Sequence, residues 1–341
     1  MKNTLLFEAS CLDGTKDLVE KELLKLGDKL QIFKTDTSDS VVFVAEEDYT
    51  KLKSLRKVLS LYYLLCFPVK GPGSLLKADI LADINLHILK AIKNSLDFPA
   101  KTFRINAAGS DSKTYSEIAS KIEHFTGLTF DKENGDLLLR FRKHPSGKAW
   151  EVLIRLSSRP LSAKAWRTHN FQGALNPVLA AVLYDLTGIK KDDRLINIMC
   201  GSGTILIEAS QRRKLSRIVG IDNNSEVLGY CRDHLKNANI RDVEVFEMDA
   251  RETSFADGSF DVVLADLPWG ENIGSRQENL ELYSQFLQEA QRITVSTARI
   301  GLITQDIKNL EKVIAQQHLK VVHRRKVFQG GFHPEIFIIQ L

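Results

Sequence analysis

Leu195-Ile196-Asn197-Ile198-Met199-Cys200-Gly201-Ser202-Gly203-Thr204-Ile205-Leu206-Ile207-Glu208 is a short apolar run that stops at two glycines flanking a serine and continues at once into a helix-compatible segment. The pattern is a strand feeding a tight loop that opens a helix, the arrangement by which α/β proteins bring backbone N–H groups up to a ligand. Glycine suits Gly201 and Gly203 because a Cβ would hinder both positive φ and close approach to a bound molecule. A dinucleotide fingerprint needs a third glycine where Leu206 stands. A P-loop needs Lys followed by Ser or Thr, and none follows at the required offset. The loop therefore points away from NAD, FAD and nucleoside triphosphates.

The runs that follow repeat the layout. Ile218-Val219-Gly220-Ile221 ends at Asp222-Asn223, with Asp222 nineteen residues after Gly203. Val243 to Met248 ends at Asp249-Ala250, and Phe260 to Ala265 ends at Asp266-Leu267-Pro268-Trp269-Gly270. In an open parallel sheet such tips lie along one edge, where ligands bind. Solvated acids in strand-to-helix turns would account for one or two of them. Four in succession mark a site.

These residues resemble a known family. Cys-Gly-Ser-Gly-Thr with Glu208 four residues beyond Thr204, Gly-Ile-Asp, Met-Asp-Ala and Asp-Leu-Pro-Trp-Gly are similar to the motifs of class I S-adenosyl-L-methionine (AdoMet)-dependent methyltransferases. Among those they most resemble the THUMP-domain RNA methyltransferases that form N2-methylguanosine in tRNA. The resemblance spans 165–341, and over 1–164 it rests on element order. It implies an α/β chain: a C-terminal Rossmann-like methyltransferase sheet with a terminal antiparallel hairpin, preceded by an α+β ferredoxin-like and THUMP region. It also implies AdoMet as cofactor and tRNA as partner, with the target guanine at the sixth position of the acceptor stem.

Each part of AdoMet finds a counterpart at the tips. Cys200, Gly201, Ser202, Gly203 and Thr204 bring backbone to the amino-acid end, Asp222 with Asn223 suits the ribose, and Asp249 with the Ala250 N–H suits the adenine edge. Asn197 stands where the family usually has an acid beside the cofactor's ammonium. It keeps an acceptor oxygen and loses the charge. Asp266 also borders the cofactor and carries the target chemistry with Leu267, Pro268 and Trp269. Methylating an exocyclic amine requires its lone pair, otherwise delocalised into the ring, to face the methyl group. A carboxylate plus the Leu267 carbonyl can accept both amine hydrogens, Pro268 fixes the turn, and Trp269 offers a face for a flipped base. An Asp can only accept, which favours guanine with its adjacent N1–H and N2 donors. The family more often has proline at 267 and tyrosine or phenylalanine at 269. A cytosine C5 enzyme would need a nucleophilic cysteine here; Cys200 and Cys231 read as structural.

With 341 residues, 43% hydrophobic and 26% charged, the chain is an ordinary globular protein long enough for two or three domains. Four scattered cysteines exclude a metal knuckle or disulfide framework and favour a reducing compartment. With no apolar leader or bilayer-length run, a cytoplasmic, membrane-free setting is expected. The net charge of +4 is uneven: residues 1–165 hold 26 Lys and Arg against 21 Asp and Glu, the remainder 21 against 22. Element order and the Gly71-Pro72-Gly73 punctuation predict a ferredoxin-like domain over 1–70 (β-α-β-β-α-β), a THUMP domain over 71–160, a linker over 161–175 with Trp166, His169 and Phe171, and the catalytic domain over 176–341.

Arg140, Arg142, Lys143, Lys148, Arg155, Arg159, Lys164 and Arg167 crowd one stretch in which Glu151 is the single acid. A solvated basic face protecting edge strands would look the same. As an RNA surface it would grip phosphates and position a substrate by shape. Other readings stay open: an rRNA guanine or a protein glutamine as acceptor, or a non-catalytic THUMP RNA-binding protein. Nothing in the sequence identifies a protein partner or an oligomeric state.

Overall fold

Period-two burial in the N-terminal runs builds one sheet, while apolar residues at helical spacing cover it. In the computed structural model the described residues are 4–27, 30–46, 50–94, 100–170, 173–212, 214–270 and 276–341. They fall into two compact units, Met1–Cys11 with Lys16–Ser162 and Leu12–Thr15 with Ala163–Leu341.

The first unit runs β1 (Thr4–Ser10), α1 (Lys16–Leu24), β2 (Gln31–Phe33), β3 (Ser40–Glu46), β4 (Ser60–Phe67), α2 (Ala78–Lys93), β5 (Thr102–Ala107), α3 (Lys113–Thr126), β6 (Thr129–Phe130), β7 (Leu137–Lys143) and β8 (Trp150–Arg155). The strand order is β2-β3-β1-β4-β8-β7-β5-β6. β5 pairs in parallel with β6 and β7, and the other ladders are antiparallel. The segments 1–70 and 71–160 thus meet within one sheet, where β4 pairs with β8 from Tyr62↔Arg155 to Phe67↔Trp150. They also share one core, with Phe7, Phe43 and Tyr63 in the same cluster as Phe103, Phe141 and Ile154. α2 supplies Ile80, Leu81, Ile84, Ile88 and Ala91 at the spacing of one helix face. The second helix of the expected β-α-β-β-α-β order is a 3-10 turn, Thr50–Ser54. Phe171 lies outside the described residues.

The second unit runs α4 (Pro177–Thr187), β9 (Arg194–Ile198), α5 (Thr204–Ser210), β10 (Arg217–Asp222), α6 (Ser225–Asn237), β11 (Glu244–Glu247), β12 (Phe260–Asp266), α7 (Arg276–Arg292), β13 (Thr294–Thr304), α8 (Ile307–Gln316), β14 (Lys320–Lys326) and β15 (Glu335–Gln340). Asn176 caps α4 by accepting from Val178 N at 2.8 Å, Pro177 opens it, and Gly188 closes it in the left-handed region. The strand order is β11-β10-β9-β12-β13-β15-β14. All pairs from β11 to β13 are parallel, and β15 runs antiparallel to both β13 and β14. The chain departs from β9 in both directions, so the switch point lies beside β9, where open α/β sheets bind ligands. α7 ends at Arg292, and β13 takes over from Thr294, whose hydroxyl bonds back to Ala290 O at 2.7 Å.

α4 approaches β13 closely because residue 301 is glycine. A Cβ there would lie 2.2 Å from Thr187 Oγ1 and 2.8 Å from Leu264 Cδ2. Overpacking of this kind costs about 1–3 kcal/mol. Gly301→Ala should therefore lower the melting midpoint of the C-terminal unit by several degrees in scanning calorimetry, at roughly 2–4 °C per kcal/mol. An unchanged midpoint would show that the α4–β13 contact has slack.

Candidate active site

The tips of β9, β10, β11 and β12 open into one cavity of about 910 Å³. The loop after β9 turns through positive φ at Met199 (55°), Gly201 (52°) and Gly203 (85°). The two glycines serve different ends. A Cβ at Gly201 would meet open space, whereas one at Gly203 would sit 2.6 Å from Cys231 Sγ on α6. Gly201 N donates to Asp222 Oδ2 at 2.9 Å, and Asn224 N donates to Asp222 Oδ1 at 3.0 Å. Asp222 is thus oriented by two backbone donors while its oxygens keep lone pairs for the cavity they border.

Asp249 is paired with Arg251, whose Nε reaches Oδ1 at 2.9 Å and whose Nη2 reaches Oδ2 at 2.6 Å. That guanidinium holds the Asp249 carboxyl below the usual carboxylate range. Asp266 has the opposite fate. It is desolvated by the cavity walls and pushed up to about 7, against the Trp269 Nε1–H, which donates to Oδ1 at 3.1 Å and opposes the rise. The free Cys200 thiol is hydrogen-bonded to the Cys231 thiol and buried, which pushes it well above the ordinary thiol range and disqualifies it as a nucleophile.

The turn after Asp266 is held from behind. Leu267 N donates to Ile303 O at 2.9 Å, and the Pro268 carbonyl accepts from Asn279 Nδ2 at 3.1 Å and from the Tyr283 hydroxyl. Among the described residues no donor reaches the Leu267 carbonyl. Trp269 meets Phe332 edge-on, centroids 5.6 Å apart, and both line the cavity.

Of the residues expected at the cofactor, Cys200, Gly201, Ser202, Thr204, Asp222, Asn223, Asp249, Ala250 and Asp266 line the cavity, as do Leu267, Pro268 and Trp269. Gly203 lies behind it as a packing glycine. Asn197 does not line the cavity: it is 0% exposed, its Nδ2 donates to Leu264 O at 2.9 Å between β9 and β12, and its Oδ1 has no partner among the described residues.

The basic stretch is also corrected. Arg155 is buried and donates to the Ser157 and Ser158 carbonyls. Arg142 is bound between Glu8 and Glu151, with Nε 2.6 Å from Glu151 Oε2. Arg167 belongs to the C-terminal unit and bonds Leu175 O and Thr204 Oγ1. Lys143, Lys148 and Arg159 are exposed, while Arg140 and Lys164 are half-buried. Arg140, Arg142, Lys143 and Trp150 line a separate cleft of about 490 Å³ in the first unit.

The sequence reading missed that residues 173–176 form a cavity wall, together with Met248, Arg251, Asn279, Gln329 and Phe332. Asn176-Pro177 signalled a helix start, and nothing local signalled what that start faces. Among the described residues there is no group of three or more metal-ligating side chains, and no helix is long and apolar enough to cross a membrane.

Comparison with known proteins agrees with this geometry. A protein named tRNA (guanine(6)-N2)-methyltransferase from Methanocaldococcus jannaschii is 27% identical over 219 residues, 53% of this chain and 58% of that protein. One of the same name from Thermus thermophilus is 28% identical over 248 residues, 71% of this chain and 73% of the relative. The chain thus spans less than two thirds of the archaeal relative's length. The crystal structure of TrmN from Thermus thermophilus matches with a TM-score of 0.77 at 22% identity, covering 99% of each chain, a likeness of fold. The sequence pattern of the UPF0020 family, the RMKL-like methyltransferase domain, matches residues 164–335 and so embraces all four strand tips. The chain belongs to the RMKL-like methyltransferase domain family.

Proposed function

We propose that this protein transfers a methyl group from AdoMet to N2 of a guanine in tRNA, at the sixth position of the acceptor stem. The observation that carries the reading is the Asp266–Trp269 turn, where a desolvated carboxylate and an uncommitted main-chain carbonyl border the cavity formed by the glycine loop. The names of the relatives above supply the tRNA and the position.

The cavity fits the cofactor by donor set and by size. Backbone of Gly201 to Thr204 borders one end, the Asp222 carboxylate the next, and Asp249 with Ala250 the third. About 910 Å³ is within the range of cofactor sites. AdoMet, when bound, supplies an electrophilic methyl group on a sulfonium. Asp266 and Leu267 O accept the hydrogens of the target amine, which localises the nitrogen lone pair. The Asp266 charge also compensates the positive charge that develops there, in surroundings dry enough to make the interaction strong. Trp269, steadied by Phe332, presents an aromatic face for the base.

Against a non-catalytic reading stands the presence of Asp222, Asp249 and Asp266 together on one cavity. Arg140, Lys143, Lys148 and Arg159, with Trp150 between strands, support an RNA-binding role for the THUMP-like first unit. A cytoplasmic setting belongs to the same proposal.

A hydrogen bond to a charged acceptor is worth about 1.5–3 kcal/mol. Asp222→Ala should therefore weaken AdoMet binding about ten- to a hundred-fold in titration calorimetry; unaltered affinity would remove Asp222 from the site. With labelled AdoMet and unmodified tRNA, the product nucleoside should be N2-methylguanosine. Only ionised Asp266 accepts two hydrogens, so the single-turnover rate should climb as pH rises through about 7 and level off above it. Asp266→Ala should lower the rate by about 10²–10³-fold. Asp266→Asn should lose the inflection. A label that appears in protein, or an inflection that persists in Asp266→Asn, would defeat the assignment.

A further inference from the structure

The linker and the glycine loop are tied together by side chains that lie outside the strand-tip motifs. Arg167 Nη2 donates to Leu175 O at 2.8 Å and to Thr204 Oγ1 at 2.7 Å. Leu175 and Thr204 both line the cavity, one on the linker and one at the start of α5. His234, 0% exposed on α6, makes the second tie, with Nδ1 3.0 Å from Ser202 O and Nε2 3.1 Å from His169 N. A carbonyl can only accept and a backbone N–H can only donate, so the proton is on Nδ1 and Nε2 is bare. One imidazole thus joins the glycine loop to the linker, and only in its neutral form.

Packing alone does not require this arrangement. Trp166, 7% exposed, already fills the space beneath, with its ring 5.5 Å from His234 and 5.3 Å from the Arg167 guanidinium carbon. A half-buried guanidinium is costly to desolvate, its Nε has no partner among the described residues, and an apolar side chain of similar volume would pack as well. What the arginine adds is two directed bonds, one to the linker backbone and one to the glycine loop.

We propose that Arg167 and His234 are positioning residues that clasp the linker segment 173–176 to the Gly201–Thr204 loop and so fix the separation of the cavity walls; this rests on reading that cavity as the AdoMet site. The groups around His234 are Arg167 and His169 on the linker, Asp233 on its own helix, and the Ser202 carbonyl on the loop. His169 is in turn held by Asp233 Oδ2 at 2.9 Å and stacks on Tyr230 at 4.7 Å. Burial keeps His234 below the ordinary imidazole value, so the clasp is closed at neutral pH. As pH falls through that lowered value, a proton on Nε2 faces the His169 N–H donor to donor, and the clasp opens.

The test is calorimetric binding of S-adenosylhomocysteine to the full chain, without RNA. Arg167→Met should weaken binding about tenfold or more, and Arg167→Lys, which keeps the charge but only one donor group, should fall between it and the wild type. In the Arg167→Met background, Thr204→Val should add less than it does alone, because the two share a bond. Wild-type affinity should fall as the pH is lowered from neutral to about 5.5, and His234→Asn, whose amide can still donate to Ser202 O but cannot titrate, should lose that dependence. A purely structural role would lower the melting midpoint and leave these affinities and the pH profile in place. Wild-type affinity in Arg167→Met, or an undiminished pH dependence in His234→Asn, overturns the clasp. A wild-type chain that binds no S-adenosylhomocysteine overturns the cofactor reading beneath it instead.

Discussion

The Gly201 N–H to Asp222 carboxylate bond, 2.9 Å long, ties the tip of the central strand to the tip of its neighbour. It forms only if the loop after β9 doubles back through positive φ, which glycine tolerates at 201 and 203 and Met199 is made to adopt. Two close approaches keep the loop there. Gly203 lies against Cys231, and Gly220 leaves room for Leu206, which would stand 2.5 Å from a Cβ at that position. α5 and α6 are therefore pressed onto the loop from both sides, and the backbone that borders the cavity is set by packing before any ligand enters.

The turn after Asp266 shows a different route to the same rigidity. The family more often has proline at 267. Leucine gives up the ring but gains an N–H, and that N–H anchors the turn to β13 through Ile303 O. The Pro268 carbonyl is taken up by Asn279 and Tyr283, and the Tyr283 hydroxyl sits 2.9 Å from Thr304 Oγ1, buried enough that its pKa is raised and it remains a donor. With the Pro268 carbonyl committed, the Leu267 oxygen is the one in this turn that no donor reaches among the described residues. The substitution at 267 therefore changes how the turn is fixed and not what it presents.

Strand tips were legible in the sequence because their signals are local: an apolar run, then glycine or aspartate, then a helix-length segment. Partners were not, because pairing over long separations leaves no local trace. Arg142 reads as a surface cation until Glu8, 134 residues away, is seen beside it. Arg155 and Arg167 were misread for the same reason, since residue type declares a charge but not what neutralises or surrounds it. Motif position puts Asn197 at the cofactor, but it does not announce that the Asn197 amide donates to the Leu264 carbonyl of β12. The continuity of the first sheet through β4 and β8 was hidden because punctuation at Gly71-Pro72-Gly73 marks a turn as readily as a domain boundary. Residues 173–176 carried no signal of their own, and their role depends on side chains on α6 and the loop.

Three aspartates at three tips along one sheet edge end in three electrostatic states. Asp222 is oriented by two amides, Asp249 is neutralised by Arg251, and Asp266 is left in a dry corner with a single indole donor. The first is fixed in orientation, with lone pairs left toward the cavity. The second presents a neutral pair beside the Ala250 backbone, a surface for a planar, uncharged ring. The third is pushed up to about 7 by burial, so a cation forming beside it would stabilise the ionised form, and that form the cation. Exchanging any two of these environments would leave the sequence pattern of acids intact and remove the chemistry. What distinguishes the site is therefore the set of partners around each carboxylate, and those partners are supplied by Gly201, Arg251 and Trp269.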